Sequence, residues 1–217
     1  MAYPLPPITM VDFPAKEYYQ STFKKRQIFL HHTAGGPRAS SVWNWWQNDK
    51  GRIATCIVID HSGEITQGFS SRFWAYHLGL GNRHFGVHGL PYKNLDKTSI
   101  GIEICNWGQL TEKNGKFYSY VNSEIPADQV MELDTPYKGF KFWHNYTDAQ
   151  IASVKELLLF WNDAYGIPLD YNEDIWEVST RALKGGKGVF THNSVRRDKV
   201  DVYPHPKLIE MLKEISN

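Results

Sequence analysis

Cysteine is scarce in this chain, which has Cys56 and Cys105 and no other thiol among its 217 residues. Each lies in an apolar run that predicts a strand, so two buried thiols are the expected state. A disulfide between them would require an oxidising compartment. Both cysteines are therefore expected to stay reduced.

Long apolar runs are also missing. No stretch approaches the roughly 18 apolar residues needed to cross a membrane, so membrane insertion is not expected. Residues 1–13 contain three prolines and an acid, but neither the basic start nor the apolar block of a signal peptide. The protein is therefore expected to be cytoplasmic as synthesised, unless another route exports it.

There is little excess charge of either sign, since the formal net charge is +1. A nucleic-acid-binding protein usually carries a basic surplus or stripe, so nucleic acid is not an expected partner. With 41% hydrophobic and 22% charged residues, the composition is typical of a globular protein with a real core. The length fits a single domain over residues 1–217.

Two predicted strands end in histidine. Residues 26–31 are mainly apolar or β-favouring, and they lead into His31 and a Gly-Gly-Pro break. Residues 189–192 form a second short run, which ends at His192. A strand end is rigid enough to fix the direction of a metal ligand.

A third strand is predicted for residues 98–105, where side chains alternate strictly between two faces. Ile100, Ile102 and Ile104 share one face, which indicates burial against a core. Glu103 lies on the other face beside Gly101. A glutamate within a strand is rarely buried unless it is paired, which indicates a functional position for Glu103.

These residues suggest a catalytic metal site. Catalytic zinc takes three nitrogen, oxygen or sulfur ligands and keeps a fourth position open, and His31, His192 and Asp201 supply such a set. Glu103 would serve as the base for an attacking water. Lys199 would stabilise an oxyanion. The sequence thus predicts a metal-assisted amide hydrolase, although no short histidine motif supports it.

The other predicted elements surround these positions. Residues 1–24 are interpreted as an extended surface lead and residues 109–146 as an irregular insertion with a hairpin at Asn114 and Gly115. The remaining predictions are a helix over 39–49 capped by Ser40 or Ser41 with two of its three tryptophans in the core, a hairpin over 53–67, a helix beginning at the Thr147 capping box, a helix over 174–183, and a helix over 206–216.

Five segments resemble, in order, the zinc-dependent N-acetylmuramoyl-L-alanine amidases. They are IFLHHTAGG, ATCIVIDHSGEITQGF, WAYHLG, TSIGIEICNWG and THNSVRRDKVDVYP. The resemblance covers residues 24–108 and 147–215 and leaves the insertion at 109–146 largely outside. It implies an α/β fold with a single mixed β-sheet, flanked by helices on both sides, and a zinc cleft at the strand ends.

The resemblance also implies a reaction and a set of site residues. The expected reaction is hydrolysis of the amide between N-acetylmuramic acid and L-alanine, with peptidoglycan or muropeptides as substrate and Zn²⁺ as cofactor. The implied residues are His31, His192 and Asp201 as metal ligands, Glu103 and Lys199 as catalytic residues, and His77 as a substrate contact.

Two departures from the family pattern leave alternatives open. Thr55 stands where the phage-lysozyme branch carries a catalytic tyrosine, which places this chain nearer the branch that uses a glutamate. The interval from His192 to the third ligand is about one residue shorter than in recycling enzymes. Asp198 and His205 are therefore alternatives to Asp201.

Two other functions compete with the amidase. One is a peptidoglycan-binding recognition module without catalysis, which would have lost a metal ligand. The other is a cysteine hydrolase that uses Cys56 or Cys105. The lack of a signal peptide suits both a phage-type endolysin and a cytosolic recycling enzyme, so intact wall and soluble muropeptides both remain open as substrates.

Overall fold

The computed structural model describes residues 3–216, so Met1, Ala2 and Asn217 lie outside the described residues. The strands are β1 (Thr9–Met10), β2 (Gln27–His32), β3 (Ile57–Ile59), β4 (Ile65–Gln67), β5 (Ser99–Ile104), β6 (Gln109–Lys113), β7 (Lys116–Tyr118), β8 (Glu124–Ile125), β9 (Val130–Tyr137), β10 (Phe140–His144) and β11 (Gly188–Thr191). The helices are α1 (Ala39–Asn48), α2 (Asn82–Gly86), α3 (Asp148–Tyr165), α4 (Thr180–Leu183) and α5 (Pro206–Glu214).

A mixed six-stranded sheet forms the centre of the fold, in the order β1-β4-β3-β5-β2-β11. Strands β3, β5, β2 and β11 run parallel, and β4 is antiparallel to β3. Every residue of β2 is buried, as expected for a parallel strand inside a sheet. The predicted mixed α/β sheet is confirmed.

The helix that follows the insertion is also confirmed. The Thr147 hydroxyl caps α3 by accepting from the backbone N–H of Gln150, and the side-chain oxygen of Gln150 accepts from the backbone N–H of Thr147. Gly166 ends the helix with a φ of +61°, a left-handed conformation that glycine adopts without strain. Ile151, Val154, Leu158 and Trp161 supply the buried stripe.

The tryptophan-rich helix α1 is present, and two of its three tryptophans are in the core as predicted. Trp43 and Trp46 are buried, whereas Trp45 is 61% exposed. The predicted serine caps are wrong, because the residue before the helix is Arg38, which makes no side-chain cap bond.

The interpretation of residues 109–146 as irregular is wrong. They form a second, antiparallel sheet in the order β8-β7-β6-β10-β9. Its strands are mostly half-exposed or exposed, so they lack the apolar alternation that predicts a strand. The hairpin at Asn114 and Gly115 is confirmed, since β6 pairs with β7 around it and both residues have positive φ.

Three smaller predictions need correction. The lead is part of the fold, because β1 pairs with β4 and Phe13 is buried. Of the strand predicted over 53–59, only Ile57–Ile59 forms a strand, and this strand, β3, pairs with β4 to make the hairpin. The predicted helix over 174–183 is broken, since the chain makes a short turn at Glu173–Trp176 before α4 begins.

Both sheets contribute to one hydrophobic core, which includes Ile102 of the central sheet and Trp143 of the second. The two cysteines are free and buried, as expected. Among residues 3–216, no helix is both long enough and apolar enough to cross a membrane.

Candidate metal centre

Three neighbouring parallel strands deliver polar side chains to one row. Leu30 pairs with Thr191 of β11, and His31 pairs with Glu103 of β5. His192 follows Thr191 directly, so it comes to lie beside His31. Because paired residues of parallel strands point the same way, His31 and Glu103 share one face of the sheet.

Local hydrogen bonds turn the chain away from the sheet after His192 and bring it back with Asp201. The Ser194 hydroxyl accepts from the backbone N–H of Thr191 at 3.1 Å, which closes a short turn. The Asn193 amide then donates to the Val202 carbonyl at 2.9 Å and so holds the residue that follows Asp201.

His31, His192 and Asp201 form a compact, largely buried cluster. Nδ1 of His31 lies 3.1 Å from Nδ1 of His192. Asp201 Oδ2 is 3.2 Å from the first nitrogen and 3.0 Å from the second. The side chains of His31 and Asp201 are 3% and 13% exposed. Within the part of the chain that the structure describes, this is the only cluster of three potential metal ligands.

The spacing of these three atoms suits a small dication. Ligand atoms placed tetrahedrally at zinc–nitrogen and zinc–oxygen distances are about 3.3 Å apart, close to the observed edges. Nε2 of His192 lies 3.0 Å from the Leu78 carbonyl, which can only accept, so the proton of a neutral ring is on Nε2. Nδ1 of His192 then carries a lone pair that faces the other two donor atoms.

The protonation of the cluster also suits metal binding. Burial and the neighbouring His192 lower the pKa of His31 to about 4, so its imidazole is neutral near pH 7. Burial alone would raise the pKa of Asp201, but its position beside the rings of His192 and His31 holds the pKa well below its usual value. Metals require neutral imidazole and ionised carboxylate ligands, and His31 and Asp201 meet this requirement.

Glu103 and Lys199 lie close to this cluster. Glu103 is half-buried, and burial together with the charge of Asp201 raises its pKa well above the usual value, while Lys199 opposes the rise. Lys199 is half-exposed in the loop between His192 and Asp201. The structure thus brings a carboxyl group and a cation to the edge of the candidate metal centre.

The loop that carries Lys199 is held by the second sheet. Lys138, at the turn between β9 and β10, donates through Nζ to the carbonyls of Arg197, at 3.0 Å, and of Lys199. The sequence reasoning missed this contact, because nothing local to Lys138 indicates a partner about 60 residues away.

Neither alternative third ligand joins the cluster. Asp198 is exposed and paired with the Arg196 guanidinium, with Oδ1 3.1 Å from Nε. His205 is buried, and its Nε2 lies 2.7 Å from the Asn145 side-chain oxygen. Asp201 is the residue that the structure places against both histidines.

His77 lies behind His31, and its side chain is 5% exposed. Its Nδ1 is 2.9 Å from Nε2 of His31, and its Nε2 is 2.8 Å from the Ser99 hydroxyl. Both ring nitrogens therefore have partners inside the protein.

The family model for N-acetylmuramoyl-L-alanine amidases matches residues 22–206. The chain belongs to this family. As a member, it is an N-acetylmuramoyl-L-alanine amidase that acts on peptidoglycan, and the resemblance seen in the five sequence segments is confirmed. No curated protein matches the sequence.

Solved structures share the fold of this amidase at low sequence identity. PlyL is 18% identical, with 97% of this chain and 96% of that chain covered and a TM-score of 0.53. The endolysin amidase LysCS from Clostridium intestinale URNW is 14% identical, with 98% and 97% covered and a TM-score of 0.53. A selenomethionine derivative of AmpD is 14% identical, with 97% and 94% covered and a TM-score of 0.51. These likenesses confirm the fold.

Proposed function

We propose that His31, His192 and Asp201 hold a catalytic zinc ion, and that Glu103 and Lys199 work beside it. The reaction is hydrolysis of the amide that joins the lactyl group of N-acetylmuramic acid to L-alanine. The observation that carries the proposal is the triangle of two Nδ1 atoms and one carboxylate oxygen, 3.0–3.2 Å on each side, at the ends of parallel strands.

A zinc ion bound there would supply Lewis acidity towards a carbonyl oxygen and a water molecule. The chain's own contribution to proton transfer comes from Glu103. A raised pKa makes the ionised Glu103 carboxylate a stronger base, so it can take a proton from the attacking water and, once protonated, give it to the leaving amine.

Lys199 contributes a positive charge. As water adds to the scissile carbonyl, negative charge develops on the carbonyl oxygen, and a fixed cation nearby stabilises it more than it stabilises the neutral substrate. Lysine at this position therefore lowers the barrier to the addition step.

The competing functions lack support from the site. A binding module without catalysis would not need three potential ligands within 3.2 Å of one another. Burial raises the pKa of the Cys56 thiol to about 12 and also raises that of Cys105. Neither cysteine provides a thiolate near neutral pH, as a cysteine nucleophile must.

We propose that part of the substrate lies in an open groove beside the loop that carries Lys199. The groove has a volume of about 1320 Å³, and Arg83, Lys138 and Arg197 are among its lining residues. These cations outnumber the acids Glu177 and Asp198 on the same walls, so the groove favours a substrate with carboxylates, such as the peptide stem of peptidoglycan.

We further propose that the protein reaches the wall as an endolysin does, after release from the cell in which it is made. The support is its likeness to a structure named as an endolysin, LysCS. Soluble muropeptides are the alternative substrate.

The test is a digest of purified peptidoglycan, scored for new amino termini and for new reducing sugars, with and without a chelator. We expect new L-alanine amino termini without reducing ends, lost on chelation and restored by zinc. Amino termini that persist after complete chelation would contradict the zinc proposal. Products from soluble muropeptides but not from intact wall would contradict the endolysin role and leave the zinc chemistry in place.

A further inference from the structure

A single dipeptide, His77–Leu78, contacts both histidines of the candidate metal centre. The His77 ring approaches His31, with Nδ1 2.9 Å from Nε2. The Leu78 carbonyl accepts from Nε2 of His192 at 3.0 Å. In both histidines the nitrogen on the far side from the cluster is therefore held by this one segment.

The donor and the acceptor in the hydrogen bond between His31 and His77 can be assigned by starting at Ser99, which contacts the other side of the His77 ring. The Ser99 hydroxyl is 2.9 Å from the Leu95 carbonyl, which can only accept, so Ser99 donates to it. Ser99 must then accept from Nε2–H of His77, at 2.8 Å. A neutral His77 ring consequently has a lone pair at Nδ1, which accepts from Nε2–H of His31.

This order of protons leaves Nδ1 of His31 without a hydrogen. The Leu78 carbonyl accepts from Nε2–H of His192, so Nδ1 of a neutral His192 ring also has no hydrogen. Each ligand histidine is thus fixed in the tautomer whose free lone pair points at the proposed metal position. Hydrogen bonds of this kind set both the tautomer and the ring orientation of a metal ligand.

The His77–Leu78 segment is itself anchored by a buried carboxylate. Oδ1 of Asp96 accepts from the backbone N–H of His77 at 2.9 Å and of Leu78 at 3.0 Å, and Asp96 is 4% exposed. The glycine at position 101 of β5 leaves space for the His77 ring. A Cβ on Gly101 would lie 3.1 Å from Nδ1 of His77 and 2.5 Å from the Thr55 methyl.

We propose that His77 and Asp96 are positioning residues, which hold both histidine ligands in the orientation and tautomer that bind the metal. This role rests on the proposed function, since it needs His31 and His192 to be ligands. It replaces the predicted substrate contact of His77, because both ring nitrogens are already engaged inside the protein.

A matched pair of variants tests the role of His77. His77→Leu keeps a buried apolar side chain but removes the acceptor for His31, and His77→Asn places an amide oxygen near the position of Nδ1. Zinc affinity of the full chain is measured by competition with a chromophoric chelator, using zinc alone as the probe. We expect His77→Leu to lose about 10- to 100-fold in affinity, and His77→Asn to regain most of that loss.

Asp96 is tested in the same way, because Asp96→Asn keeps a carbonyl oxygen for the two N–H groups and Asp96→Ala does not. The control is Tyr76→Leu, because Tyr76 precedes His77 in the chain and its side chain is 37% exposed. We expect Asp96→Ala to weaken zinc binding, Asp96→Asn to weaken it less, and the control to leave it unchanged. Equal losses in all three variants would mean general damage to the segment and would overturn the proposal.

Histidine tautomers in the metal-free wild-type protein provide a measurement that does not depend on the folding of any variant. Long-range ¹H–¹⁵N spectra should show His31, His77 and His192 as Nε2–H tautomers. An Nδ1–H tautomer at His77 would overturn the proposal.

The zinc titrations separate this proposal from the proposed function. If the wild-type protein binds no zinc, the proposed function fails and this proposal fails with it. If the wild-type protein binds zinc and His77→Leu binds it equally well, only the positioning role fails.

Discussion

His31 and His192 lie beside one another at the ends of two parallel strands, and a third side chain completes the proposed metal site. The spacing along the chain leaves Asp198, Asp201 and His205 as candidates for it. Three-dimensional contacts favour Asp201, because Asp198 pairs with Arg196 and His205 binds Asn145.

Replacing Glu103 tests its role as the proton-transfer group. Glu103→Gln keeps the shape of the side chain but cannot accept a proton, so we expect kcat to fall by about 10²- to 10⁴-fold. Zinc content should stay at the wild-type level, because Glu103 is not one of the three proposed ligands. The measurement is steady-state kinetics on a muropeptide, together with metal analysis of the purified protein. Wild-type kcat in this variant would rule out Glu103 as the base.

Strands and loops explain why the site forms where it does. The register of β11, β2 and β5 follows from buried apolar runs, and it aligns His192, His31 and Glu103. That alignment could be anticipated from the two strand-end histidines. The second sheet could not be anticipated in this way. Its strands are half-exposed and show no apolar periodicity, and pairing between them holds residues 109–146 together.

A glycine in β5 gives a prediction about stability. A Cβ on Gly101 would come within 2.5 Å of the Thr55 methyl, so we expect Gly101→Ala to lower the free energy of unfolding by about 1–3 kcal/mol. Gly86→Ala is the control, since a Cβ there meets nothing within 4 Å. Denaturant unfolding of both variants measures the difference. Equal stability of the two variants would show that the strand shifts freely to accommodate the methyl group.

The contact from the second sheet to the Lys199 loop gives another prediction. Lys138→Met removes the ammonium group that binds the carbonyls of Arg197 and Lys199, so we expect a lower kcat with zinc still bound. Lys141→Met is the control on the same hairpin, because Lys141 is paired only with Glu132 among its salt-bridge partners in residues 3–216. If both variants have wild-type kcat, the second sheet does not support the catalytic loop.

Zinc binding at the proposed site should stabilise the molecule. A ligand that binds only the folded state adds about 2.7 kcal/mol when its free concentration is 100 times its Kd. For a domain of this size that corresponds to a rise of about 5–10 °C in Tm. Differential scanning calorimetry with zinc and with chelator measures the shift. An Asp201→Ala variant should show a smaller shift, and an equal shift would place the stabilising zinc elsewhere.

Family membership and the central fold were predictable because they depend on short segments whose order is kept along the chain. The contacts that hold the proposed metal centre in place were harder to predict. Asp96, Leu78 and Lys138 act through backbone groups or distant loops, which leave no pattern in the sequence. The sequence therefore indicates the donor atoms more readily than the contacts that orient them.

The central claim is that Nδ1 of His31, Nδ1 of His192 and a carboxylate oxygen of Asp201 bind one zinc ion. Anomalous diffraction from crystals of the zinc-loaded protein, collected at the zinc absorption edge, tests it most directly. We predict one strong peak about 2.0–2.2 Å from each of these three atoms. A peak bound through the Nε2 atoms or at other residues, in crystals of active enzyme, would contradict it.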